Sequence, residues 1–310
     1  MNGRLMKRRL GLFVSVAAVV TVAAFVVPDK DDQKNAIGSL LHLSPELKEA
    51  FTPREGFKDL PKPGPGDWLS SHPEPGQTFR QYLQSKPNRA GAGGRRFIYL
   101  QPIGEFPDGA PSMETLKGYL EAYFHPMPVK LARPLMLKPS PLIKTRGDQV
   151  NCTDLLNVLQ KRVPRDAYVL MAVTMKDLYP GPEWNFVFGV ARLKMRCGVF
   201  SFARYGVERN GRKALMRALK VISHETGHSF GIKHCIHFHC LMNGSNSLPE
   251  TDRAPLHFCP VCLRKLHWNL RFDPAERYRK LATFLDENKF EQESKWFARG
   301  AGRIENAKKD

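Results

Sequence analysis

Residues 224–234 read His224-Glu225-Thr226-Gly227-His228-Ser229-Phe230-Gly231-Ile232-Lys233-His234. Residues four apart on a helix share a face, so His224 and His228 can aim both imidazoles at one cation. Glu225 sits beside the first of them and can reach a water on that cation without ligating it. Gly231 tolerates a positive φ and so permits a sharp turn that brings His234 back as a third ligand. Three protein nitrogens leave a fourth position open, which is the pattern of a catalytic rather than a structural zinc. With ten His in 310 residues, chance yields an HExxH in about one or two chains per hundred of this length. Requiring Gly231 and His234 as well makes a coincidence far rarer.

On the carboxyl side the motif runs directly into Cys235, followed by Cys240, Cys259 and Cys262. Two close pairs of thiolates can close a tetrahedron around a second, structural zinc, with no open position. Disulfides are the competing reading, especially for a domain outside the cytosol. The CxxC pair and the tight insertion after His234 favour zinc. His237 and His239 lie between the first two cysteines and read as surface histidines, with substitution as ligands the alternative. Cys152 and Cys197 read as buried thiols.

On the amino side, residues 213–230 form the long helix that carries the motif. Before it, 97–101, 129–135, 167–174, 184–193 and 198–204 read as strands, and 112–124 and 151–162 as helices. The run 167–174 (AYVLMAVT) is almost continuously apolar, as in a strand buried on both faces. Strands and helices alternate and strands then run together, which predicts an α/β (α+β) domain, a mixed sheet with helices packed on it. The 198–204 strand is the candidate sheet edge above the cleft, where an extended peptide could pair. A last helix is expected at 274–289.

This domain is expected to span 96–298, with 299–310 as a flexible tail. Residues 29–95 are punctuated by seven prolines between Pro53 and Pro87 and end in Gly91-Ala92-Gly93-Gly94. They read as a loosely structured approach with short helical pieces near 45–50 and 78–84. Residues 10–28 (LGLFVSVAAVVTVAAFVVP) carry no charge and follow Arg4, Lys7, Arg8 and Arg9. That pattern predicts a signal peptide or single-pass membrane anchor over residues 1–28, which would make the remainder extracytoplasmic, secreted or membrane-anchored; without that role the chain would be cytoplasmic.

Composition excludes wholesale disorder, since 42% of residues are hydrophobic and 25% charged. Six cysteines in 310 residues are too few for a disulfide-built scaffold. The formal net charge of +18 raises a nucleic-acid partner as a rival function. Its basic residues are scattered rather than gathered around the cysteines, so no specific nucleic acid is expected. The second rival is a non-hydrolytic zinc scaffold, against which Glu225 argues, since a scaffold needs the ligands but not the base.

HExxHxxGxxH followed at once by Cys, then CxM, then CxxC resembles the archaemetzincins, a branch of the metzincin metallopeptidases. The residues that carry the resemblance are His224, Glu225, His228, Gly231, His234, Cys235, Cys240, Met242, Cys259 and Cys262. The runs Asp177-Leu178-Tyr179-Pro180, Trp184-Asn185-Phe186-Val187-Phe188-Gly189 and Phe200-Ser201-Phe202-Ala203-Arg204-Tyr205 look like those of eukaryote-type members, and the likeness extends over about 68–298. The resemblance implies a metzincin-like mixed sheet with an active-site helix and a C-terminal subdomain stabilised by zinc on four cysteines. It implies a catalytic zinc on His224, His228 and His234, Glu225 as general base, and a structural zinc on Cys235, Cys240, Cys259 and Cys262. Two zinc ions per chain and a peptide or protein substrate follow, and a monomer is expected. Met242 would occupy the Met-turn, an apolar floor beneath the three imidazoles. The apolar segment at 10–28 departs from the soluble members.

Overall fold

The structure, a computed structural model, describes residues 27–137, 141–192 and 195–309. Among them no helix is long and apolar enough to cross a membrane. The 10–28 run lies outside the described residues except for its last two.

Four short helices come first: α1 (Lys30–Ile37), α2 (Pro45–Phe51), α3 (Trp68–Ser71) and α4 (Phe79–Gln84). Capping boxes start α1 and α4, in which Asp29 and Thr78 accept from the backbone of Asp32 and Gln81. The helical pieces expected near 45–50 and 78–84 are α2 and α4. The segment is not loose, however. Ala36, Phe51 and Tyr82 are buried in the same core as the motif helix, because each short helix keeps one apolar face even between prolines.

The body alternates strand and helix: β1 (Phe97–Ile103), α5 (Met113–Tyr123), β2 (Val129–Leu131), β3 (Thr145–Arg146), β4 (Gln149–Asn151), α6 (Cys152–Gln160) and β5 (Ala167–Thr174). Then come β6 (Leu178–Tyr179), β7 (Gly189–Arg192), β8 (Cys197–Ser201) and α7 (Gly211–Ser229). The main sheet has the order β2-β1-β5-β8-β7, parallel except for β7, which runs antiparallel to β8. A small sheet β3-β4-β6 lies apart.

All eight residues of β5 are buried, and its two faces serve two cores. Val169, Met171 and Val173 face the core shared with α5 and α7, while Leu170 and Ala172 face α6 with Leu155, Leu156 and Leu159. The period of two in a strand makes that division obligatory.

The 198–204 segment is therefore not the sheet edge. Its strand, β8, is buried at every residue and paired on both sides, and the edge belongs to β7. The strand read at 184–193 shrinks to those four residues.

After α7 the chain forms α8 (Leu248–Arg253), α9 (Pro260–Leu270), α10 (Pro274–Glu287) and α11 (Glu291–Ala307). The helix expected at 274–289 is α10, but it is not the last, and 299–307 is not a tail. Phe297, Ala301 and Ile304 form a buried stripe at helical spacing against α10. Charged residues between these apolar positions hide the stripe in the sequence. Gly300 lets Tyr278 approach so closely that a Cβ would lie 2.7 Å from its ring.

Candidate metal centre and cleft

The side chain of Asn210 caps α7 by accepting from the Lys213 N–H at 2.9 Å, and the helix then runs nineteen residues to Ser229. Gly231 follows at φ +79°, and its N–H donates to the His228 carbonyl at 2.8 Å. Glycine is required there twice over, since a Cβ would also lie 2.7 Å from the Cβ of Pro87. The turn carries His234 back towards the helix face that bears His224 and His228.

One ligand atom from each of the three histidines lies within 4.8 Å of the other two. The Nδ1 atoms all face outward: His224 to the Leu241 carbonyl at 2.9 Å, His228 to the Ile232 carbonyl at 2.7 Å, and His234 to the Glu74 carboxylate at 2.9 and 3.0 Å. A carbonyl or carboxylate only accepts, so each Nδ1 carries the proton and each Nε2 keeps a lone pair. The Nε2 atoms of His224 and His228 stand 3.0 Å apart. Two lone pairs that close repel unless a cation lies between them, so the donor set fits a divalent metal. Burial pushes His224 down to about 3 and His228 well below the usual imidazole range, which keeps both neutral and able to ligate near pH 7.

Glu225 is directed into the same cleft. Loss of solvation pushes its carboxyl up to about 7, with opposition from His234. The cleft measures about 660 Å³, and Trp68, Trp184, Phe188, Glu225 and the β7 edge are among its walls. Gly189 of β7 passes so close beneath Glu225 that a Cβ there would lie 3.1 Å from the Glu225 Cγ. Lys220, one turn before His224, lines the cleft and donates to the carbonyls of Thr251 and Asp252 at 3.2 and 2.8 Å. Burial pushes its ammonium down to about 8.

The four cysteines that follow the motif converge as well. Cys235, Cys240, Cys259 and Cys262 are buried, with their sulfurs within 4.8 Å of one another. None forms a disulfide, and Cys235 Sγ lies 3.6 Å from Cys259 Sγ, far beyond a bond of about 2.05 Å. Backbone N–H groups of Met242 and Cys259 donate to Cys240 Sγ. Hydrogen bonds from the other three hold the Cys235 thiol well below its usual range, while burial pushes Cys240 and Cys259 up. A buried cluster of this kind can hold a tetrahedral dication. His237 is buried, not at the surface, and neither it nor His239 belongs to the cluster. Cys152, the first residue of α6, and Cys197, the first of β8, are free buried thiols in the core around α6.

Met242 is fully buried against α7 at Gly227, between the turns that bear His224 and His228. The three family-like runs also meet. Arg204 grips the Asp177 carboxylate with two hydrogen bonds of 2.9 and 2.7 Å, and its guanidinium stacks 3.8 Å over the Phe186 ring.

Sequence reasoning missed Glu74, Trp68 and Lys220. A single carboxylate between prolines, 160 residues from its histidine, carries no local pattern that could have revealed it.

Residues 153–268 match the description of Peptidase family M54. Archaemetzincin-2 of Rattus norvegicus is 35% identical over 281 residues, covering 78% of this chain and 78% of its own length. Archaemetzincin-1 of Mus musculus is 33% identical over 276 residues, covering 76% of this chain and 55% of its own. The crystal structure of archaemetzincin from Methanopyrus kandleri shares 30% identity, covers 58% of this chain and 98% of that one, and superposes with a TM-score of 0.49.

Proposed function

The chain belongs to the archaemetzincins, a family of zinc-dependent metallopeptidases, and on that premise we propose that it hydrolyses peptide bonds with one zinc on His224, His228 and His234 and Glu225 as general base. A second zinc, on Cys235, Cys240, Cys259 and Cys262, has a structural role. The observation that carries this reading is the outward commitment of all three Nδ1 atoms, which leaves three Nε2 lone pairs converging beside the half-buried carboxylate of Glu225.

When bound, zinc supplies the Lewis acidity that makes water nucleophilic near neutral pH. The rest belongs to the chain. The free edge of β7 offers backbone groups to an extended peptide, which would lay its scissile bond across the metal centre. Glu225 accepts the proton of the attacking water on its carboxylate and passes it to the leaving amine. Desolvation makes the Glu225 carboxylate a stronger proton acceptor, while the charge of a bound dication would pull in the opposite direction and favour its ionised form. Met242 and Gly227 hold the floor under the histidines, and the cysteine cluster braces the loop that carries Met242.

The decisive experiment is zinc per purified chain before and after mild chelation, with cleavage of a mixed peptide library measured alongside. The expected result is two zinc ions, one of which leaves easily and takes the activity with it. Two zinc ions without any cleavage would move the reading to a zinc-stabilised scaffold. One or none would overturn the metal assignment.

A further inference from the structure

Two of the three histidines sit on a helix, whose hydrogen bonds hold them rigidly; the third sits on a loop. Their Nδ1 partners differ in the same way. His224 and His228 donate to backbone carbonyls, whereas His234 donates to a side chain, the carboxylate of Glu74, at 2.9 and 3.0 Å to its two oxygens. Glu74 is held in turn by the indole N–H of Trp68 at 3.0 Å. The Trp68 ring stands edge-on to His234, 5.3 Å between centroids, and the Trp68 backbone N–H donates to Glu250 at 2.9 Å. Gly244 leaves no room for a Cβ beside this indole, so the loop after Met242 is pressed against it.

The same stretch of chain grips the turn that returns His234. The Gln77 side-chain amide donates to the Gly231 carbonyl and accepts from the Lys233 N–H, both at 3.3 Å, and the Tyr82 hydroxyl donates to the Phe230 carbonyl at 2.9 Å. Residues 68–82 therefore hold both the ring of His234 and the backbone that carries it.

The side from which Glu74 approaches decides what this segment does. A blocking segment would place a donor on the Nε2 side, in the open metal position. Glu74 lies on the Nδ1 side and is not among the atoms that converge on the metal position. A carboxylate there sets the tautomer and the ring plane and makes the free nitrogen a better donor to a metal.

Resting on the zinc assignment above, we infer that Glu74 is a positioning residue of the metal centre: with Trp68 it orients His234, so residues 68–82 complete the zinc site and do not block it. The segment lies wholly outside residues 153–268, where the family description matches.

The test uses the full chain as Glu74→Gln, Glu74→Ala and Trp68→Phe, with zinc affinity measured by competition against a chromophoric chelator. Removing such a partner is expected to weaken the histidine site by about 10- to 100-fold. Glu74→Ala should show that loss while the cysteine site keeps its affinity, a pattern that general loss of structure would not give. Glu74→Gln can still accept the Nδ1–H through its amide oxygen and should recover most of the affinity. Trp68→Phe keeps a ring but loses the N–H and should fall between wild type and Glu74→Ala. If Glu74→Ala fails to fold, the order wild type, Glu74→Gln, Trp68→Phe carries the test. Wild-type zinc affinity in all the folded variants, or faster cleavage by Glu74→Ala, would overturn the inference. A wild-type chain that binds zinc at the histidines yet cleaves nothing would remove the peptidase reading and leave the role of Glu74 intact if the affinities follow this order.

Discussion

A Cβ placed on Gly227 would lie 2.7 Å from the sulfur of Met242 and 3.3 Å from the ring of Phe258. Gly227 is the x position of HExxH just before the second histidine, so the surface of α7 under the metal centre is shaved flat to receive a methionine. The polarizable thioether fills that flat space, and the close approach fixes the height of the helix over the loop that follows.

Gly227→Ala should therefore destabilise the chain despite a helix-propensity gain of up to about 1 kcal/mol. Overpacking of this kind costs about 1–3 kcal/mol. Chemical denaturation measures it, and pairing with Met242→Ala should give less loss than the sum of the two single changes. Strict additivity would mean that the two side chains do not bear on each other.

Glu225→Gln keeps all three proposed histidine ligands and removes the proposed base. Peptide hydrolysis should fall by about 10²–10⁴-fold with unchanged zinc content, read by metal analysis of the same preparation. A variant that retained wild-type turnover would exclude Glu225 from the proton transfers.

Cys259→Ser attacks the other cluster. Cys259 is fully buried among three further thiols, and structural zinc in small peptide sites is worth about 10–16 kcal/mol. Loss of one ligand should lower the melting temperature sharply and release one zinc. A stable, fully loaded variant would refute a structural role.

Acid stability has a contribution from His267, which packs against Phe51 and Phe272 and whose ring burial pushes down to about 4, with Arg271 and Arg264 adding to the shift. Its folded value lies below its unfolded value of about 6.5, so the unfolded chain binds the extra proton. The stability contribution is complete above about pH 6.5 and is lost as the pH falls towards 4. His267→Gln should flatten the slope of unfolding free energy over that interval, measured by denaturant titration at several pH values.

The elements legible in the sequence are those whose pattern is local. The seven apolar residues that open β5, the apolar face of α5 and the His224–His228 spacing each refer to a single strand or helix, so their period is printed in the chain. The ends of α7 are legible for the same reason, within two residues, and so is the turn at Gly231. The cysteines declare themselves by spacing, but whether they are bridged or free is not a matter of spacing. Their sulfurs stand too far apart for bonds, and that took the tertiary structure.

What the sequence alone determined is that His224 and His228 share one face of α7 with Glu225 beside them, and that Gly231 lets the chain turn, because helical geometry converts spacing into direction without help from the rest of the molecule. The tertiary structure decided what surrounds them. Val199 and Phe200 are as apolar as an edge-facing strand could be, yet β8 is interior because β7 returns antiparallel and covers it. The stripe of Phe297, Ala301 and Ile304 becomes a helix only once α10 and α2 supply a surface to bury it against. Glu74 reaches His234 because the short helices α1, α2 and α4 pack on α9, and Gln77 and Tyr82 grip the turn after α7. Such partners meet through the path of the whole chain, and no period in the sequence records where that path returns.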